Sequence, residues 1–135
     1  MIASSILVLS AGLFLPAQNA RDNLAMLQGE WVLLETADAK RTDPGADTIR
    51  MVIKDQTVTM FFSGLETNRG NIALGPTREI RSIDMKFANG RMVLGTYQLS
   101  GDVLTICVAE AGNQRPSNLI PRGSQWVEKW KRAAP

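Results

Sequence analysis

The sequence predicts an all-β domain, an antiparallel barrel of about eight strands after a short N-terminal helical turn. Short runs rich in β-branched and aromatic residues recur along the chain, and apolar and polar residues alternate within them. Gly, Pro, Asn and Asp separate these runs, and helical periodicity is almost absent. Such a pattern predicts an antiparallel barrel or sandwich, and the barrel has the advantage that closure removes exposed strand edges.

The barrel is expected to occupy residues 21–135, because residues 1–20 have the features of a signal peptide. They carry no charged side chain, and the apolar run over residues 6–15 is about as long as a signal-peptide core. A membrane-spanning helix needs about twice that length. The alternative is a buried strand or helix of the domain itself. Cleavage near residues 18–21 would release a periplasmic or secreted protein without a membrane span.

The first half of the domain predicts one helical turn and three strands. Asp22 can cap a turn that reaches Leu27, and Gly29 ends it. Residues 37–47 form a loop, and Asp55 with Gln56 separates two β-rich runs at the spacing of a tight hairpin. The three predicted strands are residues 30–35, 48–54 and 57–63.

The second half predicts five more strands. Gly70 and Gly75 indicate turns on either side of a weak strand, and Asn89 with Gly90 marks a hairpin turn. Residues 100–102 join a second hairpin, and residues 110–124 form a loop that its prolines keep irregular. The five predicted strands are residues 71–74, 80–87, 91–99, 103–109 and 125–132.

The chain resembles the lipocalins in its opening strand, where Gly29 and Trp31 form a Gly-x-Trp motif, and in the terminal Arg132. More closely, it resembles a lipocalin-like family of small, exported, functionally uncharacterised bacterial proteins. The segments that carry this resemblance are 27–31, 83–84, GTYQLSGDVLTIC at 95–107, 115–116 and 131–132. The resemblance implies a lipocalin-like barrel in which Trp31 closes one end and Arg132 lies across it, so Gly29, Trp31 and Arg132 are structural residues. It names no ligand.

Composition argues against an enzyme and against several kinds of binding protein. Histidine is absent, which removes the usual general base and the commonest neutral metal ligand. A single cysteine can form neither an internal disulfide nor a thiolate cluster. The net charge of +2 is spread along the chain without a basic block, so nucleic acid is not an expected partner. We therefore expect no catalytic residue, no metal and no cofactor.

Two residues have a chemical alternative to their structural interpretation. Cys107 lies mid-strand without a histidine or a nearby basic residue, so a small buried apolar role is favoured over a reactive thiol. Asp84 alternates with apolar residues along its strand and is expected on the solvent-exposed face. It would be a candidate acid or base only if it faced the barrel interior.

The leading functional hypothesis is a binding module that holds a small apolar or amphipathic molecule in the barrel. The predicted ligand-binding residues are Met60, Phe62, Thr96, Tyr97 and Arg115. Arg115 and Arg122 share one long loop that could clamp an anionic ligand, or be tied down by arginine bonds to carbonyls. The alternative function is a protein-interaction or inhibitor module, a filled barrel whose rim loops at 37–47 and 111–123 contact another exported protein.

Overall fold

A computed structural model describes residues 21–38, 42–43, 49–75 and 81–134, which form one antiparallel sheet of nine strands. A helix over residues 21–26 precedes it. Within these ranges no helix has the length and apolar character needed to cross a membrane. The strands are β1 (Gly29–Asp38), β2 (Thr42–Asp43), β3 (Ile49–Lys54), β4 (Thr57–Phe62), β5 (Leu65–Leu74), β6 (Ser82–Phe87), β7 (Met92–Ser100), β8 (Val103–Glu110) and β9 (Trp126–Arg132).

The sheet closes into a barrel of eight strands, which confirms the predicted fold class. Each strand from β3 to β8 pairs with the next along the chain, and β1 pairs with both β3 and β9. The two-residue β2 adds to the far part of β1 and takes no part in the closure. All pairings are antiparallel, and the helix leads into β1 as the sequence predicts.

The strand β5 is longer than the sequence predicts. The sequence places a weak strand at residues 71–74, but β5 begins at Leu65 and pairs with β4 over its first half, with a bulge after Met60. That half is polar and mostly exposed, so no apolar alternation marks it. Gly70, predicted to form a turn, lies mid-strand opposite Phe87, where a Cβ atom would collide with the backbone carbonyl of Lys86.

One end of the barrel is closed by a contact between the first and last strands. Trp31 and Arg132 are register partners, and the guanidinium carbon lies 4.3 Å from the centroid of the indole ring. Arg132 also donates to the carbonyls of Gln28 and Met26, at 2.6 and 2.8 Å, which ties the end of the helical segment to β9. Gly29 has a φ of +121°, and a Cβ atom there would lie 3.1 Å from Arg132 Nη1. Glycine permits both the backbone conformation and the approach.

Buried apolar side chains fill the half of the barrel nearest this closed end. The Trp31 ring is itself fully buried, and its Nε1 donates to the Leu27 carbonyl at 3.0 Å, so the indole is satisfied without water. The other buried side chains of this half are Leu27, Ile53, Val58, Ile72, Tyr97 and Leu104.

Truncation of the closing pair tests this arrangement. Trp31→Ala should destabilise the fold by about 3–5 kcal/mol, as for other large aromatic residues removed from a core, and Arg132→Ala should cost less. Because the two side chains are in contact, chemical denaturation of the single and double variants should give a coupling energy of about 0.5–3 kcal/mol. The matched control pairs Trp31→Ala with Arg91→Ala, whose guanidinium stacks on Trp126 instead. Strict additivity for the Trp31 and Arg132 pair would contradict the assignment.

Candidate functional site

A cavity of about 270 Å³ occupies the half of the barrel that the core leaves unfilled. The chain enters β1 at the closed end, so the cavity lies toward the end where β1 finishes and β9 begins. Its wall is mainly apolar, and its polar residues are Thr67, Asn68, Arg91 and Glu128. The apolar lining side chains are Met51, Met60, Ile83, Met85, Phe87, Val93, Ile106, Val108, Trp126 and Trp130.

The strand β9 carries the most polar part of the wall. Trp126, Glu128 and Trp130 alternate along it and therefore point into the barrel together. Glu128 accepts a hydrogen bond from each indole: Trp126 Nε1 donates to Oε2 at 2.8 Å, and Trp130 Nε1 donates to Oε1 at 3.2 Å. The carboxylate is thereby held in one orientation between two large rings.

Burial raises the pKa of the Glu128 carboxyl from its ordinary value of 4.5. Water is excluded from much of its surroundings, and an ionised carboxylate loses hydration free energy there. The two indole hydrogen bonds and the positive charge of Arg91 oppose this effect and lower the pKa, but burial is the larger influence.

An ion pair lies at the mouth of the cavity. Arg91, just before β7, donates from Nε and Nη2 to Glu110 Oε1 at 2.9 and 2.6 Å. Its guanidinium carbon also lies 5.9 Å from the centroid of the Trp126 ring, within cation–π range. Both charged side chains are about half exposed, so the pair marks the boundary between the cavity and solvent.

Three methionines give the apolar wall its character. Met51, Met60 and Met85 are unbranched and polarisable, so they can adjust their rotamers to the shape of a bound molecule. Gly95 also lines the cavity, and a Cβ atom there would come within 3.0 Å of the Cγ2 methyls of Ile83 and Ile106. Because position 95 has no side chain, the backbone itself forms the wall of the cavity there.

Among the five predicted ligand-binding residues, Met60 lines the cavity, and Phe62 and Tyr97 lie on the inward face outside it. Phe62 shares the face of β4 with Met60 but lies at the rim, where 53% of it is exposed. Tyr97 is buried in the filled half of the barrel, and its burial raises the pKa of the phenol. Met60, Phe62 and Tyr97 therefore share the inward face of the barrel at different depths.

Two of the predicted residues, Thr96 and Arg115, lie on the outside of the sheet and do not line this cavity. Thr96 lies on the outer face of β7, and its hydroxyl donates to the carbonyl of Pro116 at 2.6 Å. Arg115 Nη1 donates to the Gly95 carbonyl at 2.9 Å and lies 2.7 Å from Asp84 Oδ1. These contacts bind the loop after β8 against the outside of the sheet. The alternative interpretation of Arg115, a loop tied down by bonds to carbonyls, therefore describes its position.

The same loop accounts for the burial of Cys107. This thiol lies on the outer face of β8, opposite Thr96, yet it is fully buried, as expected from its sequence context. Pro116, held by Thr96, is also buried. Burial raises the pKa of the thiol, against a backbone hydrogen bond at Val108 that lowers it. Asp84 is likewise on the outer face, ion-paired with Arg115, and is not an acid or base of the cavity.

The polar residues that line the cavity are not among those predicted from the sequence. Trp126, Glu128 and Trp130 follow the pattern W-x-E-x-W, and the same alternation continues to Arg132. Since Arg132 was already expected to lie across Trp31, a period of two would have placed Glu128 inside the barrel. In the described part of the chain, no three acidic or cysteine side chains group as ligands for a metal ion.

Comparison of the chain with protein-family models, with curated proteins and with solved structures finds no match.

The raised pKa of Glu128 predicts a pH-dependent stability that Glu128→Gln removes. Because the folded protein holds this proton more tightly than the unfolded chain, stability relative to Glu128→Gln should fall as the pH rises from about 4.5 through the folded pKa. Below about pH 4.5, the difference in the free energy of unfolding between wild type and Glu128→Gln should be constant. Denaturant unfolding across this range measures it.

Glu35→Gln is the matched control, since Glu35 is about half exposed and ion-paired to Lys129 on the outside of the barrel. Parallel pH profiles of stability for wild type and Glu128→Gln would show that the raised pKa does not belong to Glu128. The same conclusion would follow if the stability of Glu35→Gln diverged from wild type with pH in the same way.

Proposed function

We propose that this protein is an exported binding module of the lipocalin-like family, which holds one small apolar or amphipathic molecule in the open half of its barrel. The observation that carries the proposal is the cavity of about 270 Å³ above a solid core. An apolar cavity of about 150 Å³ is large enough for benzene, whereas drug-sized ligands occupy roughly 300–1,000 Å³. The expected ligand is therefore small, with about one ring and a short substituent.

The lining supports binding without covalent chemistry. Most of the wall is apolar, with a few polar groups at fixed positions, as is common in small-molecule sites. Both oxygens of Glu128 accept indole hydrogen bonds, and Glu110 is held by Arg91. Neither carboxylate is placed as a nucleophile beside a second catalytic group, which favours a binder over an enzyme.

A protein-interaction module is the second candidate, and exposed apolar residues at the barrel ends and loops favour it. Phe62 and Leu65 flank the β4–β5 turn with 53% and 73% of their surface exposed, and Ile120 in the loop after β8 is 65% exposed. The first two lie at the open rim, next to the cavity mouth. A partner bound there would leave the cavity empty, so occupancy of the cavity distinguishes the two functions.

Native mass spectrometry of the protein isolated from its own periplasm or culture medium should show a small molecule that leaves on denaturation. In vitro, 2-phenylethanol serves as a probe, with binding measured by calorimetry. Met60→Trp adds bulk to the wall and should weaken binding by about tenfold or more. Leu34→Trp makes a comparable change at an exposed site on β1 and should leave binding unchanged. Equal binding by wild type and Met60→Trp would contradict a ligand in this cavity.

Export is tested separately from binding. Residues 1–20 lie outside the described residues, and the proposal depends on their apolar run of signal-peptide length. N-terminal sequencing of the protein from its native host should find a mature start near residues 18–21 in the periplasm or medium. An intact Met1 on a membrane-bound form would contradict export.

A further inference from the structure

We infer that the cavity selects molecules with a protonated amine at one end of a small apolar body, and that the ammonium group binds the Glu128 carboxylate. This inference rests on the proposed binding function and specifies its ligand class. It follows from three features of the cavity: the free hydrogen-bonding capacity of Glu128, the charge balance of the wall, and the occupation of the nearest aromatic face.

The Glu128 carboxylate can accept further hydrogen bonds. A carboxylate offers about four acceptor positions, and the indoles of Trp126 and Trp130 use one on each oxygen. An ammonium group is a donor with no acceptor, so it complements the remaining positions. A ligand hydroxyl could donate only one bond, and a ligand carboxylate would meet a like charge.

The charges of the described cavity residues leave Glu128 without a committed cation. Arg91 and Glu128 are the charged side chains among these lining residues. Two guanidinium nitrogens of Arg91 donate to Glu110 Oε1, at 2.6 and 2.9 Å, so its charge is balanced at the mouth. Arg91, Glu110 and an ionised Glu128 together carry one positive and two negative charges, so the site has a net negative charge that a cationic ligand would neutralise.

One face of the Trp126 ring is already occupied by Arg91. The Nε1 edge of the ring points to Glu128, and the Arg91 guanidinium lies 5.9 Å from the ring centroid. A ligand cation on that face of the ring would have to displace the guanidinium. The carboxylate is therefore the favoured position for the ammonium group, and the methionine-rich wall is left for the apolar body of the ligand.

The cost of burying Glu128 supports the same conclusion. Its pKa is raised because the ionised form is poorly hydrated inside the barrel. A bound ammonium group would restore a favourable partner to that charge, so part of the unfavourable burial in the empty barrel would be relieved on binding.

Three probes with a similar aromatic body test the head-group preference: 2-phenylethylamine, 2-phenylethanol and phenylacetate, each titrated calorimetrically at neutral pH. Wild type should bind the amine about tenfold or more tightly than the alcohol, and phenylacetate more weakly than either. Glu128→Gln removes the charge and keeps one acceptor oxygen, so one of the two indole hydrogen bonds is retained. It should bring the amine to within about threefold of the alcohol and leave the alcohol affinity nearly unchanged.

Glu35→Gln removes an exterior carboxylate and should leave all three affinities as in wild type. The NMR resonances of the indole N–H groups provide a readout that needs no variant. The amine should shift the resonances of Trp126 and Trp130 more than that of Trp31, whose Nε1 donates to the Leu27 carbonyl.

The outcomes separate this inference from the proposed function. If 2-phenylethanol binds in the cavity but the amine binds no more tightly, or if Glu128→Gln keeps the preference, the amine assignment is wrong and the binding function stands. If the amine shifts Trp31 most, the assignment is also wrong. If none of the three probes binds, the cavity proposal fails and the amine assignment fails with it.

Discussion

Closure of the sheet depends on the pairing of its first and last strands, and Trp31 opposite Arg132 fixes that pairing in register. The guanidinium over the indole and the arginine bonds to carbonyls allow one alignment of β9 on β1. Side chains in a strand alternate, so an inward Arg132 requires inward Trp130, Glu128 and Trp126. A slip by one residue would turn all of them outward. The polar wall at the open end is therefore set by a contact at the closed end.

The interior is divided unevenly along the barrel axis, and this division gives the fold both stability and a cavity. An eight-stranded barrel is just wide enough for side chains to fill it or for one small ligand to enter. Here Trp31 and Tyr97 occupy the closed half, whereas Gly95 and flexible methionines line the open half. The closed half can supply the packed core on which folding depends. The open half is then free to be shaped for recognition.

Alternation and turn residues were sufficient to predict the barrel, since they report directly which side chains need burial. The first half of β5 was missed because it is polar and is held by pairing with β4. Thr96 and Tyr97 are neighbours on β7, so alternation allows only one of them to face inward, whereas periodicity gives no position for Arg115, which lies in a loop against the outside of the sheet. Glu128 could have been predicted from its spacing to Arg132, but a lone carboxylate between tryptophans was not recognised as a polar group inside the barrel.

The carboxylate at position 128 accepts hydrogen bonds from two indoles inside the barrel. The indoles of Trp126 and Trp130 need an acceptor in an apolar interior, and unsatisfied buried donors are costly. The two indoles bond to different oxygens, so an amide, which has one oxygen and one NH2 group, could keep only one of these bonds in the observed geometry. The carboxylate satisfies both indoles at the cost of placing a charge where hydration is reduced. An opposite charge brought by a ligand would offset that cost, which connects the least favourable residue of the empty barrel to recognition.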